Sequence, residues 1–140
     1  MGNLGRYAVI TALGAGLAIV AWRIAAPPSD ALIVAVNVPR LSALASIGEA
    51  VFEANCAECH GTNAAGTDNG PPLVHNIYNS RHHADASFHF AVRAGARQHH
   101  WRFGDMPPQE QVTDDEVPAI IAYVRELQQA NGIPYRPVSR

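Results

Sequence analysis

Apolar positions recur along this chain at spacings that predict four helical segments separated by polar or proline-rich breaks. Tyr7 to Trp22 carries no charge and is bracketed by Arg6 and Arg23. Ile47, Gly48, Val51, Phe52 and Asn55 fall at helical spacing. Asp85 to Arg93, with Phe88, Ala91 and Val92, reads as a further helix stopped at Gly95. Val117, Ile120, Ile121, Val124 and Leu127 line one face of a last helix, and Thr113-Asp114-Asp115-Glu116 ahead of it reads as a capping box. Counted from that box, Pro118 occupies the fifth helical position, removes a hydrogen bond to Asp114 and predicts a distorted first turn. Gly61 to Gly70 is a polar loop without periodicity.

The first segment has the character of a membrane helix. Its sixteen residues rise about 24 Å, short of a bilayer's roughly 30 Å of hydrocarbon. Snorkelling of Arg23 and the apolar Ile24-Ala25-Ala26 extend it. A cleaved secretory signal is the alternative: a positive start, an apolar middle and small residues at the end. A cut after Ala26 leaves Pro27 at the new terminus, and Ala43-Leu44-Ala45 lies too far from the apolar run, so the retained anchor is favoured. Either reading sends the remainder outward, with Arg6 and the amino terminus inside. Pro27-Pro28 ends the helix. The organisation expected is an anchor at 1–26, a linker at 27–45, a folded domain at 46–130 and a tail at 131–140. The linker holds one acid, Asp30, one base, Arg40, and the apolar run Ala31 to Val36. Free tethers are polar, so this one is expected to be ordered against its own domain, the lipid interface or a partner.

Composition narrows the function classes. The chain has 140 residues and a net charge of −2, which argues against nucleic-acid binding. All of its basic residues are arginine. From residue 46 onward seven arginines face eleven acids, so docking through a ring of lysines is excluded. The acidic excess keeps the domain soluble.

The chemistry concentrates at Cys56-Ala57-Glu58-Cys59-His60, which matches the C-x-x-C-H attachment signature of c-type haem. Two thiols that add to the two vinyl groups of haem must lie about one helical turn apart on a common face, as i and i+3 do. His60, at i+4 from Cys56, stays on that side and offers an imidazole nitrogen to the iron. Met106, in Gly104-Asp105-Met106-Pro107-Pro108, is the sole methionine besides Met1, and Pro107 biases it toward an extended loop. With Gly70-Pro71-Pro72-Leu73 between them, these residues resemble the class I monohaem c-type cytochromes of the membrane-anchored bacterial type, over roughly Ser46 to Gln128.

That resemblance implies an all-α small cytochrome c fold, about three to four helices around one haem c attached through two thioethers, preceded here by the transmembrane helix. It implies that the Pro71 carbonyl accepts a hydrogen bond from the far nitrogen of His60, that Leu73 packs on the haem, and that His60 and Met106 are the axial ligands. Gly48 and Phe52 resemble the family's Gly-x-x-x-aromatic first helix, with Tyr123 at its crossing partner. Arg97, Trp101 and Arg102 are candidates for the haem propionates.

With both axial positions filled, no site for a substrate remains. The function expected is therefore electron transfer, not enzymatic catalysis. The chain would carry single electrons in a respiratory or photosynthetic chain, as a tethered carrier or a haem subunit of a membrane redox complex. Its partners would be a quinol-oxidising complex or a terminal oxidase, and its place a bacterial inner membrane with the haem domain on the periplasmic side. A haem enzyme or gas sensor with a labile Met106 is the alternative from another class. A zinc module built from Cys56, Cys59 and two of His75, His82, His83, His89, His99 and His100 is the remote one. Its histidines adjoin as His82-His83 and His99-His100 instead of standing three to five apart, and these pairs read as solvated or haem-rim residues.

Overall fold

The computed structural model describes Tyr7, residues 11–17 and residues 32–136. Within these, helix α1 spans Ala43–Asn55, α2 Ala57–His60, α3 Asp85–Ala94 and α4 Val117–Ala130, with single 3-10 turns at Thr62–Ala64 and Asn76–Tyr78. The described residues form no β-strand; the one extended pairing is an isolated antiparallel bridge between Ala96 and Met106.

Helix α1 begins three residues before the expected Ser46. Ser42 is in extended conformation, and its hydroxyl accepts from the Ala45 N–H, satisfying one of the donors a helix start leaves unpaired. The helix turns Ala45, Gly48 and Phe52 inward. Helix α4 covers that face. At Gly48 the two backbones touch: a Cβ there would sit 1.9 Å from the Ala119 carbonyl oxygen and 2.9 Å from the Ile120 nitrogen. One turn on, the Phe52 and Tyr123 rings meet at 5.5 Å and 58°. The crossing expected between Gly48 and Tyr123 is thus shared out, with Gly48 on Ala119 and Phe52 on Tyr123.

The start of α4 differs from expectation. Glu116 is its N-cap and Pro118 stands within the first two positions, where a missing N–H costs no helical hydrogen bond. Thr113 to Glu116 form a separate turn, closed by the Glu116 N–H on the Thr113 carbonyl at 3.1 Å. The Glu116 carboxylate accepts from the Thr113 N–H and hydroxyl at 2.7 and 2.8 Å. Only half of a capping box forms, and Pro118 needs no distortion.

Residues 32–42 lie across their own domain. The Val34 N–H donates to the Ala65 carbonyl at 2.9 Å. The Asn131 side chain pairs with both the N–H and the carbonyl of Asn37 at 2.8 Å, and Glu126 accepts from the Ser42 N–H and hydroxyl at 2.9 and 2.6 Å. In this extended chain successive side chains alternate. Val34 and Val36 pack against the core, while Ile33 is exposed. Residues 131–136 are docked as well: Ile133 is buried, and the Arg136 N–H and carbonyl both bond to the buried Ser80 hydroxyl at 2.7 and 3.0 Å.

The helix expected to cross a membrane falls mostly outside the described residues. Tyr7 and residues 11–17 are helical and exposed. Among the described residues no helix is long and apolar enough to cross a membrane.

Because the Gly48 contact is backbone on backbone, side-chain rotation cannot relieve it. Gly48→Val should cost about 3 kcal/mol, the upper end of overpacking penalties. A denaturant midpoint that does not fall would show that α1 and α4 do not cross at this residue.

Candidate haem site

Helix α1 stops at Cys56, whose backbone (φ −120°, ψ −28°) leaves the helical region. The chain then re-enters a single turn in which the Cys59 and His60 N–H groups both reach the Cys56 carbonyl, at 3.2 and 2.9 Å. The Gly66 N–H caps the His60 carbonyl at 2.6 Å, and the Leu73 N–H bonds to the Ala64 carbonyl at 2.9 Å. These bonds fold the polar loop back so that Pro71 lies beside His60. His60 Nδ1 stands 2.9 Å from the Pro71 carbonyl oxygen. A carbonyl only accepts, so Nδ1 carries the proton and Nε2 keeps its lone pair. Burial lowers the His60 pKa, more than the Pro71 hydrogen bond raises it, so the ring is held neutral, as a metal ligand must be.

The methionine loop is fixed from the other side. Helix α3 ends at Gly95, whose φ of +73° and hypothetical Cβ at 2.3 Å from the Met106 carbonyl oxygen leave room for glycine alone. Ala96 and Met106 then exchange both backbone hydrogen bonds, at 3.0 and 2.8 Å. The Asp105 carboxylate accepts from the Gln98 N–H at 2.9 Å, and Gln98 Oε1 accepts from the Gly104 N–H at 2.7 Å. The loop between is therefore closed at its base.

Between these parts lies a cavity of about 390 Å³ lined by Cys56, His60, Pro71, Leu73 and Met106, with Phe52, Phe88 and Ile120 among the apolar residues. Its size falls in the range of cofactor pockets. Cys56 is half-buried; Cys59 is exposed and stands outside the lining. Burial first, then the neighbouring Cys59 and Glu53, push the Cys56 thiol up to about 11. Of the propionate candidates, Arg97 and Trp101 line the cavity and Arg102 does not. Burial raises the Tyr78 pKa, a rise offset only in part by the nearby Trp101 Nε1. That nitrogen falls outside hydrogen-bond geometry there and is buried without a partner. An indole N–H left in that state calls for an acceptor.

The residues present fit a haem: an apolar slot, two cysteines at the attachment spacing, a neutral oriented imidazole, a thioether on a pinned loop and an orphaned donor. They do not fit the zinc module. Cys56 and Cys59 join no cluster of three metal ligands among the described residues, because the histidine pairs gather elsewhere on the cavity rim.

Arg125 and Gln128 were missed from sequence. Both are buried, although the composition argument counts Arg125 among the solvating charges. Arg125 Nε donates to Asp85 at 2.9 Å, Nη1 to the Tyr78 carbonyl and Gln128 Oε1 at 2.7 Å, and Nη2 to the His83 carbonyl at 2.5 Å. Gln128 Nε2 donates to the Leu73 and Tyr78 carbonyls at 2.8 and 3.0 Å. The available signal was register: Arg125 is i+4 from Ile121, and Gln128 is i+4 from Val124.

Residues 45–128 of the chain match the family described as cytochrome c. No curated protein and no solved structure matches it.

Arg125→Leu should cost about 2–4 kcal/mol, because it strands the His83 carbonyl, the Gln128 Oε1 and one oxygen of a partly buried carboxylate. The denaturant midpoint, followed by the loss of the native haem spectrum, reads the effect. A variant as stable as the parent would mean that solvent already satisfies those acceptors.

Proposed function

Because this chain belongs to the cytochrome c family and carries haem c bound covalently through thioethers, we propose that it moves single electrons with His60 and Met106 as the axial ligands. The observation that carries this reading is that Cys56 and His60 line one apolar cavity together with Met106, which lies far from them in sequence. When bound, the haem supplies a one-electron couple at its iron. The chain's own residues do the rest. Cys56 and Cys59 provide the thioethers. The Pro71 carbonyl holds the His60 Nδ1 proton, so Nε2 is presented in a fixed direction. The Ala96–Met106 bridge fixes the backbone of the thioether donor. Phe52, Leu73, Phe88 and Ile120 exclude water. With a haem held there, ligands braced in this way and an apolar surround would keep the rearrangement between oxidation states small.

The finer reading is a membrane-held cytochrome, anchored by residues 1–26, with its haem domain on the periplasmic side of a bacterial inner membrane. It serves a respiratory or photosynthetic chain between a quinol-oxidising complex and a terminal oxidase. The uncharged run from Tyr7 to Trp22 and the exposure of Leu13 and Leu17 support the anchor. Since residues 32–42 lie on the domain, only 27–31 remain as tether. Five residues reach at most about 17 Å. So short a tether favours a subunit fixed close to the membrane over a wide-ranging carrier.

Two measurements test these readings. The reduced holoprotein should not bind carbon monoxide rapidly, and its oxidised form should show the near-infrared sulfur-to-iron charge-transfer band. Met106→Ala should reverse both. Met106→His should stay low-spin at a lower potential, within the roughly 0.8 V that axial ligation spans. Rapid carbon monoxide binding by the parent protein would point instead to a haem enzyme or gas sensor. Separately, deleting residues 1–26 while retaining export should release a spectrally unchanged protein from membranes. A full-length protein that salt washing alone removes would exclude the anchor.

A further inference from the structure

Two histidine pairs that are distant in sequence meet at the rim of the haem cavity. The metal-binding nitrogens of His82, His83 and His100 lie within 4.8 Å of one another. His82 Nε2 and His100 Nε2 are 3.1 Å apart, and His83 Nε2 and His99 Nε2 are 3.4 Å apart. Four imidazoles around a tetrahedral ion at 2.0–2.1 Å place their nitrogens about 3.3 Å apart. Those two pairs are already close to that spacing, while His99 stands outside the three-residue group and would close onto the ion from the edge.

Protonation makes the case stronger than proximity does. His83 Nδ1 lies 2.8 Å from the Ile77 carbonyl oxygen, and His99 Nδ1 lies 2.7 Å from the Arg97 carbonyl oxygen. Both Nδ1 atoms must therefore donate, and in the neutral rings both Nε2 atoms carry lone pairs. Two lone pairs facing each other at 3.4 Å repel unless a cation stands between them. An Nδ1–H bonded to a backbone carbonyl is also the usual outer-shell arrangement of a metal-bound histidine. Burial and the neighbouring histidines lower the His83 pKa, which keeps the ligand form available.

The framework is built rather than incidental. The His82 and His83 N–H groups bond to the Asn79 carbonyl at 3.1 and 2.8 Å. The His83 carbonyl is held by buried Arg125, and Gln98 and Asp105 brace the loop that carries His99 and His100. His82, His99 and His100 are exposed, so an ion has access.

We propose that His82, His83, His99 and His100 form a binding site for one divalent late first-row metal ion, copper(II) or zinc, the ions that imidazole ligands suit. It differs from the Cys–His zinc module considered from sequence, since it uses neither cysteine. His83, His99 and His100 also line the haem cavity. An ion bound by four neutral ligands keeps its double positive charge and so favours the reduced state of a redox group there. This second consequence rests on the electron-transfer reading; binding itself does not.

The test uses the full-length holoprotein. Calorimetric titration with zinc should give one ion per chain. His82→Gln and His99→Gln should each weaken binding about tenfold or more, the haem spectrum reporting that each variant is folded. Copper(II) bound to the unaltered protein should show a paramagnetic resonance spectrum of nitrogen-only ligation, a reading that needs no variant. No saturable zinc binding, oxygen-dominated copper ligation, or undiminished binding by both folded variants would overturn the site and leave a shared proton as the cation. Zinc, which is redox-inert, should raise the midpoint potential of the parent protein. It should not do so in His82→Gln/His99→Gln. Binding without any change of potential would uphold the site and overturn its electrostatic effect.

Discussion

The close approach of α1 and α4 is the constraint on which the other parts depend. Most helix pairs keep 8–10 Å between axes because side chains stand between them. At Gly48 nothing does, and the Ala119 carbonyl occupies the space a side chain would take. That contact sets where α1 ends, and α1 ends directly in Cys56. It also sets where α4 runs, and α4 delivers Ile120 to the cavity and Arg125 and Gln128 to the loops around it.

Those two polar residues answer a problem that a loop-rich domain creates. Between α2 and α3 the chain has no long helix or strand to pair its carbonyls, yet much of it is covered. Buried backbone oxygens need donors. Arg125 and Gln128 together satisfy carbonyls of Leu73, Tyr78 and His83, and Phe88 and Tyr135 flank the guanidinium at 5.1 and 5.6 Å. In a low-dielectric setting a fully bonded network of this kind is stiff. The stiffness reaches both the Pro71–Leu73 stretch beside His60 and the histidine pair at the rim.

The site thus joins two modes of support. The attachment turn is local, since Cys56, Cys59 and His60 are held by bonds within their own turn and from the loop that directly follows it, as far as Pro71. The methionine loop and the histidine rim are held from a distance, by Gly95, Asp105 and Arg125. A redox centre assembled this way has ligands from independent segments, each with its own brace. The strap at 32–42 adds a third layer, joining the first described residues of the domain to the C-terminal end of α4 through Asn37 and Asn131.

Much of this was legible in the order of residues. C-x-x-C-H, the lone downstream methionine, the Gly-Pro-Pro-Leu turn and the stop at Gly95 are local signals, because each depends on covalent spacing or on a backbone angle that one residue type allows. The amphipathic faces of α1 and α4 followed from periodicity in the same way. The helix that crosses at Gly48 was expected from the family resemblance. The residue it meets, Ala119 instead of Tyr123, was not, since a glycine says that something comes close but not which residue. Nor was the burial of Arg125, for a charge on an apolar register is soluble or buried according to what packs over it. Pro118 was misplaced because Thr113 to Glu116 has the letters of a helix start, and only the packing of Val117 decides where helix begins. The described part of the apolar linker, 32–42, is ordered, and its place on its own domain depends on Ala65, Glu126 and Asn131 lying along its path. The histidine pairs carried no spacing that announced a site. Their nitrogens converge only because two loops, closed by unrelated hydrogen bonds, end on the same rim.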